Sequence, residues 1–174
     1  TRMRGSKVVA HPINSPRIRA AMSLEAILSQ AVADGKLRQS SLTNIQSLLA
    51  ASTNPLYRTA IEELANGSHW TELDDRFYQT LKFGTGGLRG RTIGRVVASV
   101  EQGSSPTGRR PDHPCVGTNS MNFFNVLRAT RGLVAYILKY RAKDGLGGKA
   151  SLVIAHDTRH YSKQFCDFAA KIAT

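Results

Sequence analysis

The stretch Lys82-Phe83-Gly84-Thr85-Gly86-Gly87-Leu88-Arg89-Gly90-Arg91 holds the residues best suited to chemistry. Its closely spaced glycines let the backbone take positive φ and come close to a ligand. Thr85 adds a hydroxyl, and Arg89 and Arg91 add guanidinium forks that match phosphate oxygens. Backbone N–H groups beside arginine make an oxyanion cradle, so a phosphorylated ligand is the first expectation. The plainer reading is a glycine-rich turn with surface arginines. Two familiar phosphate loops are excluded. No Gly-Lys-Ser/Thr follows, as a Walker A loop requires. Counted from Gly84 and Gly86, the last glycine of a dinucleotide fingerprint falls on Arg89.

Other reactive residues carry less. Asp74 and Asp75 could do acid–base work, but a place in the first turn of a helix over about 72–81 ascribes them to the helix dipole. His156-Asp157 lacks the second His/Asp cluster that a metal pair needs. Asp157 is expected to hold backbone donors or to pair with Arg159. The two cysteines, Cys115 and Cys166, form no C-x-x-C pair and read as reduced thiols.

The elements that must position these residues follow from caps and periodicity. Ser23 opens a helix to about Ala33, which Asp34-Gly35 stops. Ser41 to Ala51 forms a second, with Leu42, Ile45, Leu48 and Leu49 on one face. Asn54-Pro55 starts a third, ending at Asn66-Gly67. Ile93 to Val100 has the β-branched content of a strand, and residues 101–118 read as a loop carrying Arg109-Arg110. Those two arginines are either a solvated tip or a phosphate-steering site. Asn122 caps a long helix over about 123–142, whose Val126, Leu127, Leu133, Val134, Ile137 and Leu138 suit packing on a sheet. Ser151 to Ala155 reads as a buried parallel strand, with Thr158 to Ser162 as the loop at its end and a final helix presenting Phe165, Phe168, Ala169 and Ile172. Helix, strand, loop and helix make an α/β pattern, whose ligand sites lie at C-terminal strand ends.

Four ordered motifs go further. Leu73-Asp74-Asp75-Arg76-Phe77, Phe83-Gly84-Thr85-Gly86-Gly87-Leu88-Arg89-Gly90, Gly117-Thr118-Asn119-Ser120-Met121-Asn122 and Asp157-Thr158-Arg159-His160-Tyr161-Ser162 lie between Glu72 and Ser162. Together they resemble the opening of the α-D-phosphohexomutases, in the phosphoglucomutase/phosphomannomutase branch that includes the phosphopentomutase-like enzymes. Ser120 departs from the usual arginine, Ala155-His156 replaces Gly-Tyr, and the 101–118 loop is longer than usual.

The resemblance implies an α/β fold with a mixed or parallel sheet and packing helices, an incomplete domain I over 71–174. A helical segment over 23–70 precedes it, and 1–22 is a flexible basic arm. It implies an isomerase that interconverts sugar 1- and 6-phosphates by intramolecular phosphotransfer through a phosphoserine. Mg2+ and a sugar bisphosphate activator are its implied cofactors. Phosphorylated sugar and the remaining mutase domains are its implied partners. Carried over by position, Thr85, Gly86, Gly87 and Arg89 would hold phosphate; Arg91 and Arg159 join them on charge and context. The serine loop T-A-S-H-N-P and the metal loop D-G-D-G-D-R do not occur, so the expectation is a first-domain piece, inactive alone and without a catalytic residue of its own.

Composition keeps alternatives open. In 174 residues, 24 Lys and Arg face 12 Asp and Glu, a net charge of +12. Such charge attracts polyanions, so a basic RNA-binding module and a degenerate, non-catalytic mutase relative are the alternatives. The scattered charge and the lack of a recognisable module disfavour nucleic acid. No apolar run suits a membrane span or a signal peptide, and a cytoplasmic location is expected. Residues 1–22, Arg-containing and acid-free, also fit a transit peptide or translation upstream of Met22.

Overall fold

A computed structural model describes residues 22–84 and 87–174; the basic arm lies outside these, apart from Met22. The described chain is mostly helical, with one small antiparallel sheet. The helices are α1 (Leu24–Ala33), α2 (Gln39–Ala51), α3 (Pro55–Asn66), α4 (Trp70–Phe77), α5 (Ser99–Gln102), α6 (Phe123–Lys143) and α7 (Ser162–Ala173). The strands are β1 (Phe83–Gly84) and β2 (Gly87–Leu88), paired Phe83 to Leu88 and Gly84 to Gly87.

The first three helices form where their caps place them. Ser23 Oγ accepts the Ala26 N–H at 3.2 Å, and Gly35 leaves α1 at φ +68°. Asn54 Oδ1 accepts the Leu56 N–H at 3.1 Å, with Pro55 in the first turn of α3. Helix α2 has no side-chain cap of its own. Asp74 caps it from α4, accepting the Arg38 N–H at 3.0 Å and the Ser41 hydroxyl at 2.6 Å. The dipole assignment of Asp74 is therefore corrected, because α4 starts earlier and Asp74 lies past its first turn. The helix also ends earlier than 81, since Leu81 N–H donates to Thr118 O at 2.7 Å and Thr118 Oγ1 donates to Gln79 O.

Helices α1–α4 share one core around Leu28, Ile45, Leu48, Ile61, Leu64, Leu73 and Phe77. Ala98 and Val116 join it, so the core crosses the 70/71 boundary. A smaller cluster joins Val126 of α6 to Tyr161 and Phe165, with Phe123 edge-on to Phe165 and Phe168.

Arg76 runs through the first core. It is buried with Glu72 and Glu101. Its Nε donates to Glu72 at 2.7 Å, Nη1 to Glu101 at 2.6 Å and to Val116 O, and Nη2 to Val96 O at 2.6 Å and to Glu101. Every guanidinium donor is thereby used. Burial pulls the Arg76 pKa down, but the charge and bond of Glu101 outweigh it, so the net direction is upward. Glu101 also accepts the Ala98 and Val116 N–H groups.

This cluster explains one correction. The strand expected over Ile93–Val100 does not form; the segment bends and then enters α5. Its backbone groups are claimed by side chains: Val96 O by Arg76, the Arg95 N–H by Glu72, the Ala98 N–H by Glu101 and the Ser99 N–H by Glu63. Gly94 is required here, since a Cβ would lie 2.0 Å from Arg76 Nη2. The strand expected over Ser151–Ala155 has no ladder among the described residues, and Val153 is 94% exposed. Only the first part of α6 is covered: Val126 is buried, whereas Leu133 and Leu138 are exposed. Helix α6 packs against α7 rather than on a sheet. No helix among the described residues is long and apolar enough to cross a membrane.

Removing one partner of a buried ion pair leaves the other charge uncompensated, at a cost of about 3–5 kcal/mol. Glu101→Ala is expected to lower unfolding stability by that amount in a urea titration. A loss below about 1 kcal/mol, the ordinary value of an exposed pair, would show that the cluster does not hold the fold.

Candidate functional site

The glycine hairpin of β1 and β2 follows α4 in the chain. Gly87, at φ +115°, takes a conformation that side-chain-bearing residues rarely adopt. Gly90 allows close passage, since a Cβ there would lie 2.9 Å from Met121 N. Beyond it the chain pairs with 115–121: Met121 N–H donates to Arg91 O and Cys115 N–H to Thr92 O, each at 2.9 Å, and Arg91 and Ser120 form a parallel bridge.

The 117–122 turn is held from within. Asn122 Oδ1 caps α6 by accepting the Asn125 N–H at 3.1 Å, while its Nδ2 donates to Cys115 O and Gly117 O. Asn125 Nδ2 donates to Gly117 O, Thr118 O and Ser120 O. Asn119 Nδ2 donates to Asp75 O and its Oδ1 accepts from Gln79. A Cβ at Gly117 would lie 2.7 Å from Arg76 O, so this turn packs directly on α4.

On the other side lies the loop before α7. Asp157 accepts the Arg159 N–H at 3.1 Å and Arg159 Nε at 2.7 Å, while its own N–H donates to Ser162 Oγ. Both expectations for Asp157, backbone donors and Arg159, are met. Those bonds, the Arg159 N–H first, hold its carboxyl below the ordinary range. Tyr161 ends the loop in the left-handed region at φ 64°. It is buried, and its hydroxyl donates to Pro111 O at 2.6 Å.

A cavity of about 720 Å3 lies between the two loops. Arg89 lines it from the hairpin and Arg159 from the other loop, 70 positions apart in the sequence, with Thr158, His160 and Ser162 beside Arg159. Arg89 is exposed, and among the described residues the terminal nitrogens of Arg159 have no bond besides that of Nε to Asp157. Gly87 lies one residue before the cavity wall at Leu88. Thr85 and Gly86 lie outside the described residues. Arg91 turns away: it forms ion pairs with Asp75 and, at 3.6 Å, with Glu72, and its Nη1 is buried without a hydrogen bond.

Two guanidiniums lining one cavity, with hydroxyls beside them, can hold an oxyanion. Among the described residues no group of three His, Cys, Asp or Glu could hold a metal, and Asp157 is engaged by Arg159. The anchor Arg76–Glu101 was missed in the sequence; the i,i+4 pair Glu72 and Arg76 was its only local signal. Comparisons of the chain with family models, curated proteins and solved structures found no match to any of them.

Burial pushes the Tyr161 phenol up to about 12. Its unfolded value is about 10. Between these values the unfolded chain loses the proton first, so the stability conferred by the neutral phenol is complete below about pH 10 and is lost as pH rises through about 12. Stability measured by denaturant titration should therefore fall over that window, and Tyr161→Phe should flatten the fall. An identical alkaline slope in both proteins would contradict the assignment.

Proposed function

We propose that residues 71–174 are the front of an α-D-phosphohexomutase domain I, and that the cavity between the glycine hairpin and the 157–162 loop holds a sugar phosphate. The observation that carries this reading is the meeting of Arg89 and Arg159 in one cavity. Both belong to motifs that resemble the family, and phosphate binding is the chemistry their side chains suit. Arg89 would neutralise charge on the phosphoryl group, and Gly87 and Gly90 would let the backbone approach it. Arg159 would be oriented for the same group by Asp157. The attacking serine would come from the rest of domain I, and the metal loop from a further mutase domain. The bare apolar positions Leu133, Leu138, Leu152 and Val153 fit this reading, as a surface that further strands of an α/β domain would cover.

A second reading, a polyanion-binding module, gains support from α6. That helix has no acidic residue between Phe123 and Lys143. Tyr136 and Tyr140 stand exposed and stacked, with centroids 6.3 Å apart, near Lys139 and Lys143. Stacking platforms beside lysines suit single-stranded nucleic acid.

The two readings separate experimentally. In a polypeptide that continues past Thr174 through the serine and metal loops, Arg89→Ala is expected to reduce kcat/KM for glucose 1-phosphate isomerisation. The loss should be about 1.5–3 kcal/mol, the value of a charge-assisted hydrogen bond. Residues 1–174 alone should give no turnover above a blank. An unchanged kcat/KM would remove Arg89 from the site. Salt-sensitive RNA binding that is abolished by Tyr136→Ala/Tyr140→Ala would favour the second reading.

A further inference from the structure

A second basic cavity, of about 710 Å3, lies under the 103–112 loop. Arg109, Arg110 and His160 line it with Ser99, Thr107 and the apolar Val97. We propose that it is a binding site for a small phosphate monoester, with Arg109 and Arg110 holding the phosphate and the apolar wall receiving the organic body. The proposal does not rest on the mutase reading.

The loop that carries the arginines is built, not loose. Asp112 Oδ2 accepts the Ser104 N–H at 2.7 Å and the Ser104 hydroxyl at 2.8 Å. Gln102 Nε2 donates to Ser105 O and Pro106 O, and the Asp112 N–H returns to Gln102 O. The Tyr161 hydroxyl pins Pro111, and the Arg110 guanidinium lies 5.1 Å over the Tyr161 ring. His113 N–H donates to Glu101 O, which ties the loop to the helix whose carboxylate holds Arg76. The arginines are thus presented from a fixed frame, which lowers the ordering cost of binding.

Their charge is also uncompensated. Among the described residues neither Arg109 nor Arg110 forms an ion pair. Glu63 is the one carboxylate on the cavity wall, and both of its oxygens accept the Ser99 N–H while the Ser99 hydroxyl bonds one of them. Asp112, nearby in the loop, is engaged by Ser104. Two neighbouring guanidiniums outnumber the single Glu63 carboxylate, which is turned to Ser99, and leave a net positive wall that suits a phosphate. The volume lies in the range of small-molecule sites, and the basin has none of the exposed stacked aromatics that favour a nucleic-acid strand.

The test uses phenyl phosphate and the full 174-residue chain, followed by calorimetric titration. The background is Arg89→Gln/Arg159→Gln, which disables the first cavity; both side chains are exposed, so the fold should be kept. In that background one saturable site is expected. Adding Arg109→Gln should weaken it about tenfold, the factor for one charge-assisted hydrogen bond. Arg109 is exposed and, among the described residues, stacks on no ring, so a folding failure is not expected, and an unchanged circular dichroism spectrum verifies this. Absence of saturable binding in the background, or binding indifferent to Arg109→Gln, would overturn the proposal. So would single-stranded RNA binding there more tightly than phenyl phosphate. Loss of all binding on Arg89→Gln/Arg159→Gln, with the original chain binding normally, would leave the first cavity standing and remove the second.

Discussion

A guanidinium withdrawn from water costs several kcal/mol unless every donor is met. Arg76 meets all five donors with groups drawn from four stretches of chain: Glu72 on its own helix, Val96, Glu101 and Val116. None of these partners can move without stranding the charge. The route of residues 93–98, the glycine at 94, the placement of α5 and the approach of 115–117 to α4 are all consequences of that single constraint. The hairpin that carries Arg89 leaves from the same helix, so the site inherits its geometry from the anchor.

The two walls of the first cavity differ in how they are held. On the hairpin side, the carboxamides of Asn119, Asn122 and Asn125 satisfy a run of backbone carbonyls in a buried turn. A buried network that is fully paired fixes its backbone firmly. On the other side, Asp157 and Arg159 are exposed and bonded mainly to each other, with Tyr161 as the buried post at the end. One wall is therefore held by a buried network and the other by exposed bonds, so under the proposed phosphate site Arg159 would be the more adjustable of the two arginines.

What was legible in the sequence was local. The caps at Ser23, Asn54 and Asn122 mark helix starts because a short polar side chain replaces a missing backbone partner, and that chemistry involves only neighbouring residues. The pairing of Asp157 with Arg159 was legible for the same reason. The 93–100 segment was not. Its β-branched residues indicate partial burial, but of the partners that claimed its backbone only Glu101 is near; Arg76, Glu72 and Glu63 lie at least 20 positions away. The Asp75 and Glu72 carboxylates that draw Arg91 inward lie 16 and 19 positions from it. Asp74 shows the converse case, a helix-cap residue whose helix is not its own. The meeting of Arg89 and Arg159 depends on how α6 and α7 pack, which no spacing encodes.

The bare apolar side chains Leu133, Leu138 and Val153 have a colloidal consequence. Copies of this chain carry a net charge of +12 and repel one another, which keeps such side chains apart in dilute buffer. The repulsion reaches about 10 Å at 0.1 M salt and only about 3 Å at 1 M. Raising the ionic strength thus removes the barrier while leaving the apolar attraction intact. The protein's solubility is set by its ionic atmosphere as much as by its fold.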